Sequence, residues 1–137
     1  MQLQNTSKYA IRILSYIAKN GNKRLYCAKE LSEKLNISYK FLTKIMTHLV
    51  KASFIISIKG REGGYRLSKS SCEISIYDIL NSLKELENDK MCILGIGECN
   101  ENNKCALHDQ WIQPKELIDK MYRETTLDQL EGQEFKL

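Results

Sequence analysis

Apolar residues recur at helical spacing from near the start of the chain: Tyr9, Ala10, Ile13, Leu14, Ile17 and Ala18 form one stripe, and Asn20-Gly21 stops it. The pattern predicts a first helix from about Ser7 to Lys19, capped by Thr6 or Ser7. A short second helix is expected from Cys27 to Leu35, with Ala28, Leu31 and Leu35 on one face and Asn36 as its breaker. Ser38 is the expected cap of a third helix that buries Phe41, Leu42, Ile45, Met46, Leu49 and Val50. That burial leaves Lys40, Thr43, Lys44, Thr47, His48 and Lys51 outside, a polar and basic face.

The periodicity then changes. Phe54 to Lys59 is rich in β-formers, Gly60-Arg61-Glu62-Gly63-Gly64 is a turn, and Tyr65-Arg66-Leu67 returns as a second strand. Two helices joined by a short turn and followed by a hairpin follow the winged helix-turn-helix plan. The fold class expected is therefore mainly α with one small β-hairpin. A fourth helix is predicted from about Ser75 to Leu86, with Ile76, Ile79, Leu80 and Leu83 as its apolar face. A cysteine-bearing loop follows. Trp111, Ile112, Leu117, Ile118 and Met121 then mark another helix to about Glu124, with a final turn at Thr126 to Leu130. Pro114 lies within that stretch, so the helix either kinks near Trp111 or restarts with Pro114 in its first turn. Gly132 to Leu137 are expected to fray. Residues 1–70 thus read as a DNA-binding unit, and residues 71–137 as a helix, a cysteine loop and a closing helix.

Charge sharpens this division. The first 70 residues carry 14 Lys and Arg against 3 acids, a charge of +11, while the remainder carries −7. The basic part is where a polyanion would bind. On the third helix Ser38, Tyr39, Lys40, Thr43 and Lys44 are candidates for groove contact, because the N-terminal half of a recognition helix lies nearest the base edges. Lys40, Lys44 and Lys51 suit phosphate, and Thr43 suits a thymine methyl or one hydrogen bond. At the hairpin tip Lys59 and Arg61 flank Gly60, while Gly63-Gly64 is expected to take positive φ and approach the backbone of a duplex.

No apolar run approaches the roughly 20 residues of a membrane span, and Met1 to Lys8 is too polar for a signal peptide, so a cytoplasmic protein without a membrane partner is expected. In that reducing compartment cysteines serve as free thiols or metal ligands. Cys27 and Cys72 stand alone, whereas Cys92, Cys99, Cys105 and His108 follow a C-x6-C-x5-C-x2-H spacing. Gly95, Gly97, Asn100, Asn102 and Asn103 lie between them and suit a loop wrapped around an inserted object. Three thiolates and one imidazole fit an iron-sulfur cluster, a structural zinc ion or a thiol-redox switch. If the last helix begins near Cys105, then Cys105, His108 and Trp111 share one side of it. No phosphate-binding glycine loop, nucleophile elbow or zincin helix is present, and the histidines are His48 and His108 alone, so no enzyme is expected.

The chain resembles the Rrf-two family of bacterial transcription regulators, in particular its iron-sulfur, IscR-like branch. The resemblance covers nearly the whole chain. It rests on Lys8-Tyr9-Ala10-Ile11-Arg12, on Ile37-Ser38-Tyr39-Lys40-Phe41-Leu42, on the wing Lys59-Gly60-Arg61-Glu62-Gly63-Gly64-Tyr65-Arg66-Leu67, and on the cysteine triad with His108 and Trp111. It implies a homodimeric repressor or dual regulator joined through a C-terminal dimerisation helix, palindromic double-stranded operator DNA, and a redox-sensing cluster whose state alters DNA binding. It also implies Cys92, Cys99, Cys105 and His108 as ligands of a two-iron cluster. A four-iron scheme in the family uses an aspartate of the first helix, where this chain has Lys8. The gap of six between Cys92 and Cys99 is one residue longer than the branch's pattern, and Pro114 falls in the expected dimer helix.

Overall fold

A computed structural model of the chain describes residues 3–21 and 24–131; the expected frayed end, Gly132 to Leu137, lies outside them. Six α-helices and one hairpin are described: α1 (Asn5–Asn20), α2 (Ala28–Leu35), α3 (Tyr39–Lys51), β1 (Ile55–Ile58), β2 (Gly64–Leu67), α4 (Ile76–Ser82), α5 (His108–Glu124) and α6 (Leu127–Glu131). Mainly α with a small hairpin is the observed class.

The core forms around α1, whose Ala10, Ile13, Leu14 and Ile17 are fully buried. Leu31 of α2, Leu42, Met46 and Leu49 of α3, Ile79 and Leu80 of α4, and Leu127 of α6 are buried with them in one cluster. Each such side chain contributes roughly 1.5–3 kcal/mol by leaving water. α1 ends as expected at Asn20, where Gly21 takes φ 85°. Its start differs from the expectation. The helix begins at Asn5, and Thr6 and Ser7 lie inside it. The cap comes instead from Glu85, whose carboxylate accepts from the Gln4 N–H at 2.8 Å and from the buried Ser7 hydroxyl. An acceptor about eighty residues away thus outcompetes the local serine.

The fourth helix is shorter than predicted. Ser75 and Asp78 form a capping box at its start, but the helix stops at Ser82 and Lys84 takes the left-handed conformation, φ 59°. A 3-10 helix, Glu85–Lys90, follows, and this break places Glu85 under α1. α5 runs uninterrupted through Pro114, which corrects the restart reading. Pro114 and Gln110, four residues back, are both exposed, so solvent can satisfy the carbonyl that proline leaves without a donor. α5 returns the chain to the core: Ile76 N–H donates to Thr125 O at 2.9 Å and Leu127 N–H to Ile74 O at 3.0 Å, which docks α6 against α1.

Replacing Glu85 with alanine removes two acceptors at the α1 N-terminus and leaves a buried hydroxyl unpaired. Stability falls by about 1–3 kcal/mol in urea unfolding, and Glu85→Gln recovers part of it. An unchanged midpoint for Glu85→Ala would show that the cap carries no weight.

Candidate nucleic-acid interface and metal centre

The turn between α2 and α3 spans Asn36, Ile37 and Ser38. Asn36 adopts the left-handed conformation, φ 53°, and the Ile37 N–H donates to Ser32 O at 3.1 Å while the Ser32 hydroxyl donates to Ile37 O at 2.5 Å. Arg12 donates from Nη2 to Leu35 O at 2.7 Å, and Tyr9 meets Phe41 edge-on at 5.5 Å. The Tyr9 to Arg12 segment therefore ties α1 to the end of α2 through Arg12 and to the start of α3 through Tyr9. Ser38 caps α3 by accepting from the Phe41 N–H at 3.3 Å, as expected.

The exposed side of α3 carries Tyr39, 58% exposed, with Lys40, Lys44 and Lys51. Thr43 is half-buried and its hydroxyl donates to Lys40 O at 3.0 Å, so the methyl and an oxygen lone pair are what it can offer. His48 departs from the expected outer set: it is half-buried, and its Nε2 is screened from solvent without a hydrogen-bond partner among the described residues. The second helix begins at Ala28, one residue later than expected, with the exposed Cys27 as its cap: the thiol accepts from the Glu30 N–H at 3.4 Å.

β1 and β2 pair antiparallel, Ile55 opposite Leu67 and Ile58 opposite Gly64. Tyr26 exchanges backbone hydrogen bonds of 2.9 and 2.8 Å with Tyr65, which anchors the wing's second edge. Lys59 and Arg61 are exposed at the tip. Gly60 has φ 119° there, whereas Gly63 is not among the positive-φ residues. The reason Gly63 must be glycine is steric: a Cβ would stand 2.1 Å from Ile58 O.

The cysteine segment folds back on itself. Cys92 N–H donates to Gly97 O at 2.8 Å, Gly95 N–H to Cys92 O at 2.8 Å, and Cys99 N–H to Lys90 O at 2.7 Å. Gly95 and Gly97 take φ 77° and 65°, and a network through Asn103 Nδ2, 2.9 Å from Ile96 O and 3.2 Å from Glu98 O, ties the loop together. The result is a nest of amides around the buried Cys92 sulfur. Hydrogen bonds from the Ile96 and Leu94 amides hold the Cys92 thiol below its ordinary range, and hydrogen bonding to Cys92 pushes the Cys105 thiol up. His108 begins α5, rather than Cys105, so Cys105 precedes the helix and bonds to it through the His108 N–H at 3.1 Å. His108 is 3% exposed, with Nδ1 3.6 Å from Cys99 Sγ.

Of the four donors, Cys99 Sγ and His108 Nδ1 stand 3.6 Å apart, and the Cys92 and Cys105 thiols influence each other's ionisation. Among the described residues no three His, Cys, Asp or Glu groups converge on one metal-ion position. Trp111 and Cys92 line a common cavity of about 390 Å³ with Leu86, Ile93 and Tyr122. Sequence reasoning passed over Glu101, Lys104 and Asp109, which form a charged cluster beside His108; nothing in their spacing sets them apart from solvated surface.

The pattern of the Rrf2 family, described as iron-dependent transcriptional regulator, matches residues 3–132. The chain belongs to the Rrf2 family. It is 37% identical over 110 residues to the HTH-type transcriptional regulator NsrR of Halalkalibacterium halodurans, covering 79% of this chain and 70% of that one. In fold it is similar to CymR, the global cysteine regulator of B. subtilis, with TM-score 0.80 and 23% identity over 96% of this chain and 97% of CymR. It is also similar to IscR of T. potens, with TM-score 0.73 and 20% identity over 96% of this chain and 87% of that one. Rrf2 proteins are DNA-binding transcriptional regulators, not enzymes. Among the described residues no helix is long and apolar enough to cross a membrane.

In metal-free protein the Cys92 thiol ionises below its usual pH and Cys105 above it. Alkylation by iodoacetamide, followed by peptide mass spectrometry, is therefore half-complete at lower pH for Cys92 than for Cys105. The reverse order would contradict the amide nest.

Proposed function

We propose that the protein is a cytoplasmic, homodimeric transcription regulator that reads a palindromic operator and holds a two-iron cluster on Cys92, Cys99, Cys105 and His108. Residues 1–70 serve the DNA and residues 71–137 the sensing and dimerisation. The observation that carries this reading is the approach of the buried His108 Nδ1 to Cys99 Sγ, 3.6 Å, in the loop that also holds Cys92 and Cys105. A two-iron cluster takes two protein ligands on each iron, whereas one zinc ion draws its ligands to a single point. When bound, the cluster supplies a redox- and supply-sensitive link between the four donors.

The chain's own residues prepare the rest. The Leu94, Gly95 and Ile96 amides favour a thiolate at Cys92, and the Gly95 and Gly97 turns aim them. Ser38, Tyr39, Lys40, Thr43 and Lys44 present α3 to a major groove, Lys51 meets phosphate, and Lys59, Arg61 and Gly63 bring the wing to the neighbouring groove. α5 leaves Leu117 and Met121, 64% and 54% exposed and one turn apart, as an apolar strip for a second copy. A thiol-redox switch is the second reading, favoured by the mutual influence of the Cys92 and Cys105 thiols on their ionisation.

Protein purified without oxygen is expected to show structured visible absorption with matching iron and sulfide, lost when Cys92, Cys99 and Cys105 are all changed to alanine. A colourless protein that takes up no iron on reconstitution would favour the thiol switch, and colour surviving the triple change would overturn the ligand set. Lys40→Ala and Arg61→Ala are each expected to weaken operator binding and to reduce the slope of log K against log salt by about 1. An unchanged slope would remove the residue from the interface.

A further inference from the structure

His108 presents a problem of proton placement. Its ring is 3% exposed; Nδ1 faces Cys99 Sγ at 3.6 Å, and Nε2 is shut off from solvent with no hydrogen-bond partner among the described residues. A neutral imidazole carries one proton. If Nδ1, on the cysteine side, gives its lone pair to a metal, the proton must reside on Nε2, where a buried donor without an acceptor costs about 1–3 kcal/mol. Glu101 Oε1 stands 3.6 Å from it. The other carboxylate oxygen, Oε2, is held by Lys104 Nζ at 2.8 Å, and Lys104 also stands 3.8 Å from Asp109. With Oε2 held by Lys104, the free oxygen Oε1 is the one turned toward the histidine ring.

Resting on the cluster reading above, we infer that Glu101 is a positioning residue for the metal centre: it accepts the Nε2–H of His108, selects the tautomer that binds metal through Nδ1, and makes that imidazole a stronger donor. The gap of 3.6 Å closes by a small rotation of the Glu101 side chain, which is 76% exposed and tethered at its far oxygen. Such outer carboxylates set ring orientation and ligand basicity, and their loss typically weakens metal holding 10–100-fold. Greater donation favours the oxidised cluster, so Glu101 lowers the potential and slows cluster loss.

The test uses the full-length holoprotein with Glu101→Gln, Glu101→Asp, His108→Cys and the double variant Glu101→Gln/His108→Cys. Iron and sulfide content, midpoint potential, rate of iron release to a chelator, and nitrogen coupling in pulsed EPR of the reduced protein are measured on each. Glu101→Gln is expected to keep the cluster and the histidine nitrogen coupling, raise the potential, and release iron roughly ten-fold faster. Glu101→Asp is expected to fall between it and the parent. With His108→Cys the nitrogen coupling disappears and the Glu101→Gln shift in potential disappears with it. An equal shift in the His108→Cys background would reduce Glu101 to a nearby charge, and no shift in either background would also overturn the inference. A parent cluster without nitrogen coupling would overturn it by removing His108 as ligand, and a parent protein without iron or sulfide would overturn the cluster reading on which it stands.

Discussion

Burial of the apolar face of α1 is the constraint on which the rest of the molecule depends. Ala10, Ile13, Leu14 and Ile17 have no solvent exposure, and α2, α3, β2, α4 and α6 all pack on this helix. The polar end of α1 is equally committed, since its first turn is capped by Glu85 from the segment that leads into the cysteine loop. One helix therefore touches both the element that presents basic side chains outward and the segment that leads to the sulfur donors. A change in the loop that moves Glu85 acts on α1 first, and α1 holds the end of α2 through Arg12 and the start of α3 through Tyr9. Tuning DNA affinity in this way requires the two loop states to bind DNA unequally.

The cysteine loop is built on a different principle from the core. Ile93, Leu94 and Ile96 are each about half exposed, so hydrophobic burial contributes little there. Backbone hydrogen bonds and two left-handed glycines define the loop, and the Leu94 and Ile96 amides are directed at the Cys92 sulfur. A loop held by hydrogen bonds around a cysteine sulfur opens at lower cost than a packed helix. This suits a segment whose order is to depend on what it binds.

Much of the architecture was legible because it follows from local periodicity. The stripe on α1, the Asn20-Gly21 stop, the break at Asn36 and the Ser38 cap all express short-range rules, and each stands where the sequence places it. What escaped the sequence depended on distant partners. The Ser7 hydroxyl turns to Glu85 rather than to its own helix end, and Lys84 breaks the fourth helix although nothing nearby requires it. Gly63 was legible as a glycine, but its reason is the Ile58 carbonyl across the hairpin rather than a positive φ. At the cysteine site the donor spacing was visible, whereas the approach of His108 Nδ1 to Cys99 Sγ needed the loop's return path. Glu101 was invisible for the same reason: it acquires meaning only when the buried Nε2 of His108 is seen beside it.

The central claim is that the occupancy of the cysteine centre is read out at α3 and the wing. It is tested most directly by measuring operator affinity on one anaerobic preparation before and after a chelator strips its iron, at a single fixed salt concentration. The account predicts that the two forms differ in affinity or in sequence preference by a factor of about five or more. Equal binding to every operator by the two forms would contradict it and leave the cysteine loop without a role in DNA recognition.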